Sequence, residues 1–338
     1  MQHLKPLIFF AILSYLLLGL VPLADLVLSA GDTDLAEAAV RASEQTGLVW
    51  TSNLLVVLRM SVAEPALFAL LLGSLVPALA AILALALMRR PGKWKAFFGR
   101  LHPLRGTSVR SAVVTYALIF VVLVPTLVLI LHFRQLTGGS YTGTLTTMSL
   151  SAFLLILGAA FLDQGAVLEE LGWRGFAAPE LDRLIDSPLG VALVIGLFWG
   201  LWHLPRDVAT GVIERLGPAD YLALYLPSFL MGTVSVSVIA GYFMNRLGGS
   251  VIPAVMIHGI ANDSVGISGS ASIVQALTPY HQFTKNSLLA LVAIAIVVLA
   301  GPRLGRRPRP GCRRPVAATA GEDGPSSLGA FPGDREHD

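Results

Sequence analysis

Long apolar stretches alternate with shorter polar segments along most of the chain. Each stretch is close to the roughly 20 residues that a helix needs to cross the hydrocarbon core of a bilayer. The pattern predicts an all-α fold, a polytopic membrane helix bundle of about eight transmembrane helices. The stretches lie at about 6–29, 63–88, 109–132, 149–178, 189–204, 220–244, 250–268 and 285–301.

The composition agrees with a membrane protein and disfavours other classes. Of the 338 residues, 54% are hydrophobic and 13% are charged, and the mean hydropathy is +0.71. Soluble domains carry about 25% charged residues. The net charge of +3 comes from basic residues beside apolar segments, so we do not expect nucleic acid as a partner. The single cysteine, Cys312, allows neither a disulfide framework nor a cysteine-based metal site.

Lysine and arginine positions predict the orientation, because cytoplasmic loops of membrane proteins carry an excess of both. The 89–110 loop is strongly basic, and so is the segment after Gly301, whereas the 31–60 loop begins with acidic residues. With eight spans, this places the N-terminus, the 89–110 loop and the C-terminal tail on the cytoplasmic side. The first apolar run exceeds the hydrophobic part of a signal peptide and is interpreted as an uncleaved helix.

Three regions divide the chain in this interpretation. Residues 1–140 hold the N-terminal transmembrane helices and the basic cytoplasmic loop, and residues 141–301 hold the remaining helices with three polar motifs. Residues 302–338 are rich in Pro, Gly, Ser and charge, which predicts a disordered cytoplasmic tail. No internal repeat of the kind that many transporters contain is visible in the sequence.

Two adjacent glutamates, Glu169 and Glu170, lie within the apolar fourth stretch. A carboxylate at the centre of a membrane helix costs roughly 2.5–3.5 kcal/mol, so it rarely persists without a task. We expect one helix that ends near Pro179, with Glu170, Arg174 and Asp163 on one face and Glu169 about 100° away. Glu170 is then tied to Arg174, and Glu169 is free to face a cavity. The alternative is a buried charge network that only holds helices together.

Two histidine motifs occupy later stretches. His203 ends the fifth stretch, four residues after Trp199, and Pro205 is expected to stop or kink the helix there. His258 and Asn262 are four residues apart, so a helix presents both to one spot, where they can donate two hydrogen bonds to an oxyanion. The alternatives are a histidine at the membrane interface and plain hydrogen bonding between helices.

Together these motifs resemble those of the CPBP intramembrane proteases, a group that includes the type II CAAX prenyl proteases and the bacterial Abi proteins. The resemblance covers about residues 150–265. Where the family has phenylalanine four residues before the histidine, this chain has Trp199. The three motifs are Glu169-Glu170-x-x-x-Arg174, Trp199-x-x-x-His203 and His258-x-x-x-Asn262.

The resemblance implies a role for each motif residue. Glu169 and His203 are implied to hold and activate the attacking water. Glu170 and Arg174 are implied to shape the site. Asp163 has no counterpart in the family pattern, and we assign it no catalytic role.

His258 and Asn262 are implied to stabilise the tetrahedral oxyanion. Family members have been described both as metalloproteases and as glutamate-dependent enzymes. A glutamate and two histidines can hold Zn²⁺ with an open position for water. The chain has no His-Glu-x-x-His signature, which favours catalysis without a metal. If zinc is bound, the ligands predicted are Glu169, His203 and His258.

The sequence thus predicts an intramembrane endopeptidase that hydrolyses a peptide bond in or near the bilayer, in a prenylated CAAX-type or other membrane-associated substrate. Water is expected to arrive from the cytoplasmic side, beyond Arg174. One rival is a non-enzymatic membrane scaffold or immunity protein. A proton-coupled transporter is the other rival, which the crowding of the polar groups into three stretches disfavours.

Overall fold

A computed structural model of the chain describes residues 4–28, 35–48, 50–136, 150–209, 211–262 and 279–306, and most of these residues are helical. The prediction of an all-α polytopic membrane bundle is confirmed. Within the described residues, six helices rather than eight are long and apolar enough to cross a membrane. They are Lys5–Leu23, Pro65–Leu87, Val109–Ile130, Pro188–Val208, Pro218–Arg246 and Gln282–Ala300.

Helices of the described residues are numbered in chain order. The first eight are α1 (Lys5–Leu28), α2 (Leu35–Thr46), α3 (Leu54–Ala63), α4 (Phe68–Leu87), α5 (Lys93–Phe98), α6 (Val109–Leu136), α7 (Leu150–Leu162) and α8 (Gln164–Gly172). The others are α9 (Ala178–Leu181), α10 (Pro188–Trp202), α11 (Leu204–Ala209), α12 (Val212–Leu216), α13 (Pro218–Asp220), α14 (Leu226–Arg246), α15 (Ile252–Asn262) and α16 (Pro279–Ala300). Single π-helical turns, Trp173–Ala177 and Tyr221–Tyr225, precede α9 and α14.

The fourth predicted helix, 149–178, is not continuous. At Asp163 the backbone is extended (φ −62°, ψ 127°), and Asp163 Oδ1 accepts a hydrogen bond from the Ala166 backbone N–H at 2.7 Å. This is an N-cap, so a new helix begins there and Asp163 does not share a helix face with Glu170. The predicted end near Pro179 is also wrong, because Ala178 keeps a helical backbone (φ −60°, ψ −45°) and the chain continues through Pro179 to the end of α9 at Leu181.

The seventh predicted span, 250–268, is described only as α15, which has 11 residues. Its remainder, 263–268, lies outside the described residues. The predicted loop 31–60 also differs, because it contains two helices, α2 and α3, of 12 and 10 residues. Both are shorter than a membrane span, so the pattern of long apolar stretches does not reveal them.

Close helix packing fixes the elements that carry the three motifs. A Cβ added to Gly196 of α10 would collide with the backbone of Val234 in α14. A Cβ added to Gly259 of α15 would likewise collide with the carbonyl of Ala159 in α7. Small residues at such crossings let helix backbones approach closely in membrane proteins. The histidine motifs are therefore held by tightly packed neighbours.

The division into regions 1–140, 141–301 and 302–338 stays a prediction, and its first boundary lies outside the described residues. Helices from both sides of that boundary share one core. In it, Phe10 of α1 packs edge-to-face against Trp173, with the two ring centres 5.3 Å apart. Of the predicted tail, residues 302–306 form a turn with Leu304 buried, and Arg306 Nη2 donates to Asp182 Oδ2 at 2.6 Å. Residues 307–338 lie outside the described residues.

Candidate active site

A cavity of about 1060 Å³ lies among α1, α4, α8, α10, α14, α15 and α16. Its walls combine apolar side chains with a small number of polar groups, as is typical of small-molecule and peptide sites. All four residues that the resemblance implies to be catalytic line this cavity: Glu169, His203, His258 and Asn262. The fold therefore brings together side chains that lie up to 93 positions apart in the sequence. Their catalytic roles remain predictions.

The start of α8 determines the direction of both glutamates. With the helix capped at Asp163, Glu169 and Glu170 fall in its second turn, and their exposed fractions are 6% and 0%. Consecutive residues of a helix point about 100° apart. Glu169 lines the cavity, whereas Glu170 points into the helix packing behind it.

Glu169 is held by a neutral donor. The indole Nε1–H of Trp199 donates to Glu169 Oε2 at 2.8 Å. Such a bond orients the carboxylate without forming an ion pair with it. The other oxygen, Oε1, lies on the side of Gly165, where an added Cβ would be 3.3 Å away. The geometry suits a carboxylate that accepts a proton from a water in the cavity.

Glu170 anchors a buried charged network. Its Oε1 accepts a hydrogen bond from Arg174 Nη1 at 2.7 Å and lies 2.9 Å from His258 Nδ1. Arg174 Nη2 donates to Ser237 Oγ of α14 at 2.6 Å, and its guanidinium lies 4.6 Å from the centre of the Trp199 ring. The predicted pairing of Glu170 with Arg174 is present. The pair also holds His258 and Trp199 from behind.

His203 sits at the C-terminal end of α10, and α11 begins directly after it with Pro205 in its first turn. His203 Nδ1 lies 2.8 Å from the carbonyl oxygen of Trp199. A carbonyl oxygen only accepts hydrogen bonds, so Nδ1 carries the proton. A neutral His203 therefore presents an unprotonated Nε2, which can accept a hydrogen bond from water.

Asn262 is placed by Asp163. Its Nδ2 donates to Asp163 Oδ1 at 3.2 Å, and the amide has a second N–H for another acceptor. A methyl group on Gly165 would lie 3.3 Å from Asn262 Nδ2 and 3.4 Å from Asp163 Oδ1. Glycine at position 165 thus keeps open the space between Asn262 and Glu169.

Sequence reasoning missed three residues that position the site. Asp163 was given no role, although an Asp directly before a helical stretch is an N-cap signal that could have located the break. Trp199 was noted only as an aromatic that departs from the family pattern, and it holds Glu169. Ser237 of α14 lies in an apolar stretch of serines and valines, and no signal in the sequence distinguishes it.

The zinc hypothesis requires Glu169, His203 and His258 to converge on one ion. In both histidines Nδ1 contacts a protein oxygen, so Nε2 is the atom that could coordinate a metal ion. Zinc-binding histidines typically have this arrangement. Across the part of the chain that the structure describes, no three His, Cys, Asp or Glu side chains are grouped closely enough to hold a metal ion. The donor types suit zinc, but their arrangement does not.

The access route differs from the prediction. The cavity is lined by residues of the connections before α4 and after α10, including Trp50, Gly211 and Glu214. Arg174 and the residues beyond it in the chain up to 186 are absent from its described lining. The prediction that water enters from the end beyond Arg174 is therefore wrong, because the cavity extends toward the opposite end of the bundle.

Comparison with known proteins agrees with the motifs. Residues 149–263 match the family model described as type II CAAX prenyl endopeptidase Rce1-like. This match supports a CAAX protease-like family for this part of the chain. A relative of this family, CAAX prenyl protease 2 of Methanococcus maripaludis, is 25% identical to this chain over 234 residues. The similarity covers 67% of this chain and 79% of the relative. The family match supports a membrane endopeptidase, and every motif residue lies within the matched region.

Proposed function

We propose that this protein hydrolyses a peptide bond in a membrane-associated, lipid-bearing peptide, with a water activated by Glu169 and His203. The observation that carries the proposal is the convergence of Glu169, His203, His258 and Asn262 on one cavity. These residues supply a base, an acceptor that aligns water, and two donors. They are the groups that hydrolysis of an amide requires.

Glu169 acts as the general base. Trp199 fixes Oε2 of its carboxylate, so Oε1 accepts a proton from water as the oxygen of that water attacks the carbonyl carbon. His203 Nε2 accepts the second water proton in a hydrogen bond and thereby aligns the attacking lone pair. When the C–N bond breaks, Glu169 returns its proton to the leaving nitrogen. The products are a carboxylic acid and an amine.

Asn262 and His258 stabilise the oxyanion that forms on the former carbonyl oxygen. Asn262 has one amide N–H free of the Asp163 bond. His258 uses Nδ1 on Glu170, so in its charged form it presents Nε2–H to the oxyanion. An imidazolium between Glu170 and an oxyanion has an anion on either side, which favours this role in the transition state.

The substrate class comes from the relative and from the site. The relative is a CAAX prenyl protease, and the cavity of this chain combines polar groups with apolar walls that include Leu18, Leu70 and Leu289. Such walls suit an apolar group attached to the peptide, because burial of apolar surface contributes about 25 cal/mol per Å². We therefore propose a peptide that carries a lipid or inserts into the bilayer.

A direct test uses the purified full chain in detergent, where both ends of the bundle are accessible. A farnesylated peptide with a Cys-a-a-X ending is incubated with the wild type, and its unprenylated form serves as the matched control. We expect release of a carboxyl-terminal fragment from the farnesylated peptide and much slower release from the control, detected by mass spectrometry. Cleavage of neither peptide would contradict the proposal and favour a scaffold.

Metal dependence is measured on the same samples. The proposed mechanism predicts no stoichiometric zinc in the purified protein and activity that survives chelation. Stoichiometric zinc lost together with activity in His258→Ala would overturn the metal-free mechanism while leaving the peptidase assignment intact.

A further inference from the structure

The two ends of the helix bundle differ in charge. At one end of the bundle, four segments contact one another: 88–110, 180–187, 245–251 and 301–306. Arg90 Nη2 donates to Glu180 Oε1 at 2.6 Å, and the backbone N–H of Val251 donates to the Arg100 carbonyl oxygen at 2.9 Å. Arg306 Nη2 donates to Asp182 Oδ2 at 2.6 Å. We define these four segments as the basic end.

The basic end carries eleven lysines and arginines in its four segments. The connections at the other end, 35–64 and 204–220, carry four. The sequence segments 29–34, 137–149 and 263–278, which follow α1, α6 and α15, contain no lysine or arginine at all. The asymmetry therefore does not depend on which connections the structure describes.

The cavity belongs to the end that is poor in basic residues. Its described lining includes Leu35, Trp50 and Ser52 from one connection and Gly211, Val212 and Glu214 from the other. The helices contribute the halves nearest to these connections. For example, α1 contributes residues 18–23, near its C-terminal end, and α4 contributes residues 69–74, near its start. None of the lining residues comes from the four described segments of the basic end.

We infer that the cavity opens toward the extracytoplasmic side of the membrane and receives a membrane-anchored peptide presented there. Loops rich in lysine and arginine are retained in the cytoplasm, and a ratio of eleven to four is a strong bias. This inference rests on the proposed function for its substrate.

Cysteine accessibility in living cells tests the orientation without any assay of activity. The native Cys312 is replaced by serine, and single cysteines are introduced by Glu214→Cys at the cavity mouth and by Lys95→Cys in α5. Both positions are exposed. A maleimide that does not cross membranes should label the Glu214→Cys protein in intact cells as fully as in permeabilised ones. The Lys95→Cys protein should be labelled only after permeabilisation.

Protection of the Glu214→Cys thiol in intact cells, or labelling of the Lys95→Cys thiol there, would overturn the inference. The wild-type chain provides a third reporter, because its Cys312 should be labelled only after permeabilisation. These readouts stand even if the protein cleaves no peptide.

A second experiment joins orientation to catalysis. A lipid-bearing peptide is added outside sealed membrane vesicles, prepared right-side-out or inverted from cells that produce the protein. Cleavage should occur in the right-side-out vesicles, and Glu169→Gln should abolish it. Cleavage confined to the inverted vesicles would overturn the inference but support the proposed function. Cleavage in neither preparation, with the expected labelling, would overturn the proposed function alone.

Discussion

The two faces of α8 carry the same side chain and have opposite surroundings. Glu169 faces a cavity and contacts a neutral indole donor, whereas Glu170 faces packed helices and contacts the cationic Arg174 and His258. Both carboxylates are almost fully buried. The difference therefore arises from their partners and not from depth in the protein.

Two adjacent residues in one turn of α8 are therefore expected to have different roles, Glu169 in catalysis and Glu170 in helix packing. The Glu170 carboxylate is engaged by a guanidinium and an imidazole in the helix packing, so it is not presented to a water in the cavity. The Glu169 carboxylate has a neutral donor on Oε2 and lines the cavity. The cavity face of α8 is therefore expected to govern turnover, and the packed face is expected to govern stability.

The largest effect on the packed face is expected for Arg174→Ala. Removal of one partner of a buried ion pair leaves an uncompensated charge and typically costs about 3–5 kcal/mol. We expect a lower unfolding temperature and lower expression together with loss of activity. The matched control is Arg183→Ala, since Arg183 is 41% exposed and lies 3.6 Å from Glu180, and its loss should change stability little. If the Arg174→Ala variant kept wild-type stability and lost only turnover, Arg174 would have a direct role in catalysis.

Asn262→Ala tests the cavity face. Loss of one oxyanion donor typically lowers kcat by about 10²–10³. We expect that loss with little change in KM or in unfolding temperature, measured on the farnesylated peptide. An unchanged kcat with a raised KM would show that Asn262 binds substrate and does not stabilise the oxyanion.

Gly165→Ala tests the space between Asn262 and Glu169. Its methyl group would lie 3.3 Å from both Asn262 Nδ2 and Glu169 Oε1, and overpacking of this kind costs roughly 1–3 kcal/mol. Activity should fall more than stability. Gly73→Ala is the matched control, because Gly73 lines the same cavity and a Cβ there has no neighbour within 4 Å. If Gly165→Ala and Gly73→Ala lowered activity equally, the space between Asn262 and Glu169 would not be as crowded as the structure indicates.

The smallest effect is expected for Trp199→Phe. The variant keeps an aromatic ring, as the family pattern has, but removes the hydrogen bond to Glu169. A hydrogen bond to a charged group contributes about 1.5–3 kcal/mol, which corresponds to a fall in turnover of at least about tenfold. Trp202→Phe loses only a 3.4 Å bond to the Ser14 carbonyl and should retain its turnover. A Trp199→Phe enzyme as active as the wild type would show that Glu169 needs no indole donor.

The membrane bundle could be predicted from the sequence because long apolar runs are local properties. The pairing of Glu170 with Arg174 was predictable for the same reason, since helical spacing fixes it. The break at Asp163 was missed because an apolar run of 30 residues conceals a cap that depends on one side chain. The tryptophan that holds Glu169 lies 30 positions away, and only tertiary packing brings it there.

The position of the cavity mouth was predicted wrongly for a related reason. The sequence identifies which residues are polar, but it does not say from which end of the bundle they can be reached. That property depends on helices α2, α11 and α12, which contribute to the cavity lining and are too short to stand out by hydropathy.

The most direct test of the contrast between the two faces compares Glu169→Gln with Glu170→Gln in the same purified preparation. Peptide cleavage and thermal unfolding are measured on both. The structure predicts that Glu169→Gln unfolds like the wild type and loses about 10²–10⁴ in rate, the usual contribution of a general base. Glu170→Gln should unfold at a clearly lower temperature. Retained cleavage in Glu169→Gln, or equal destabilisation of the two variants, would contradict the account.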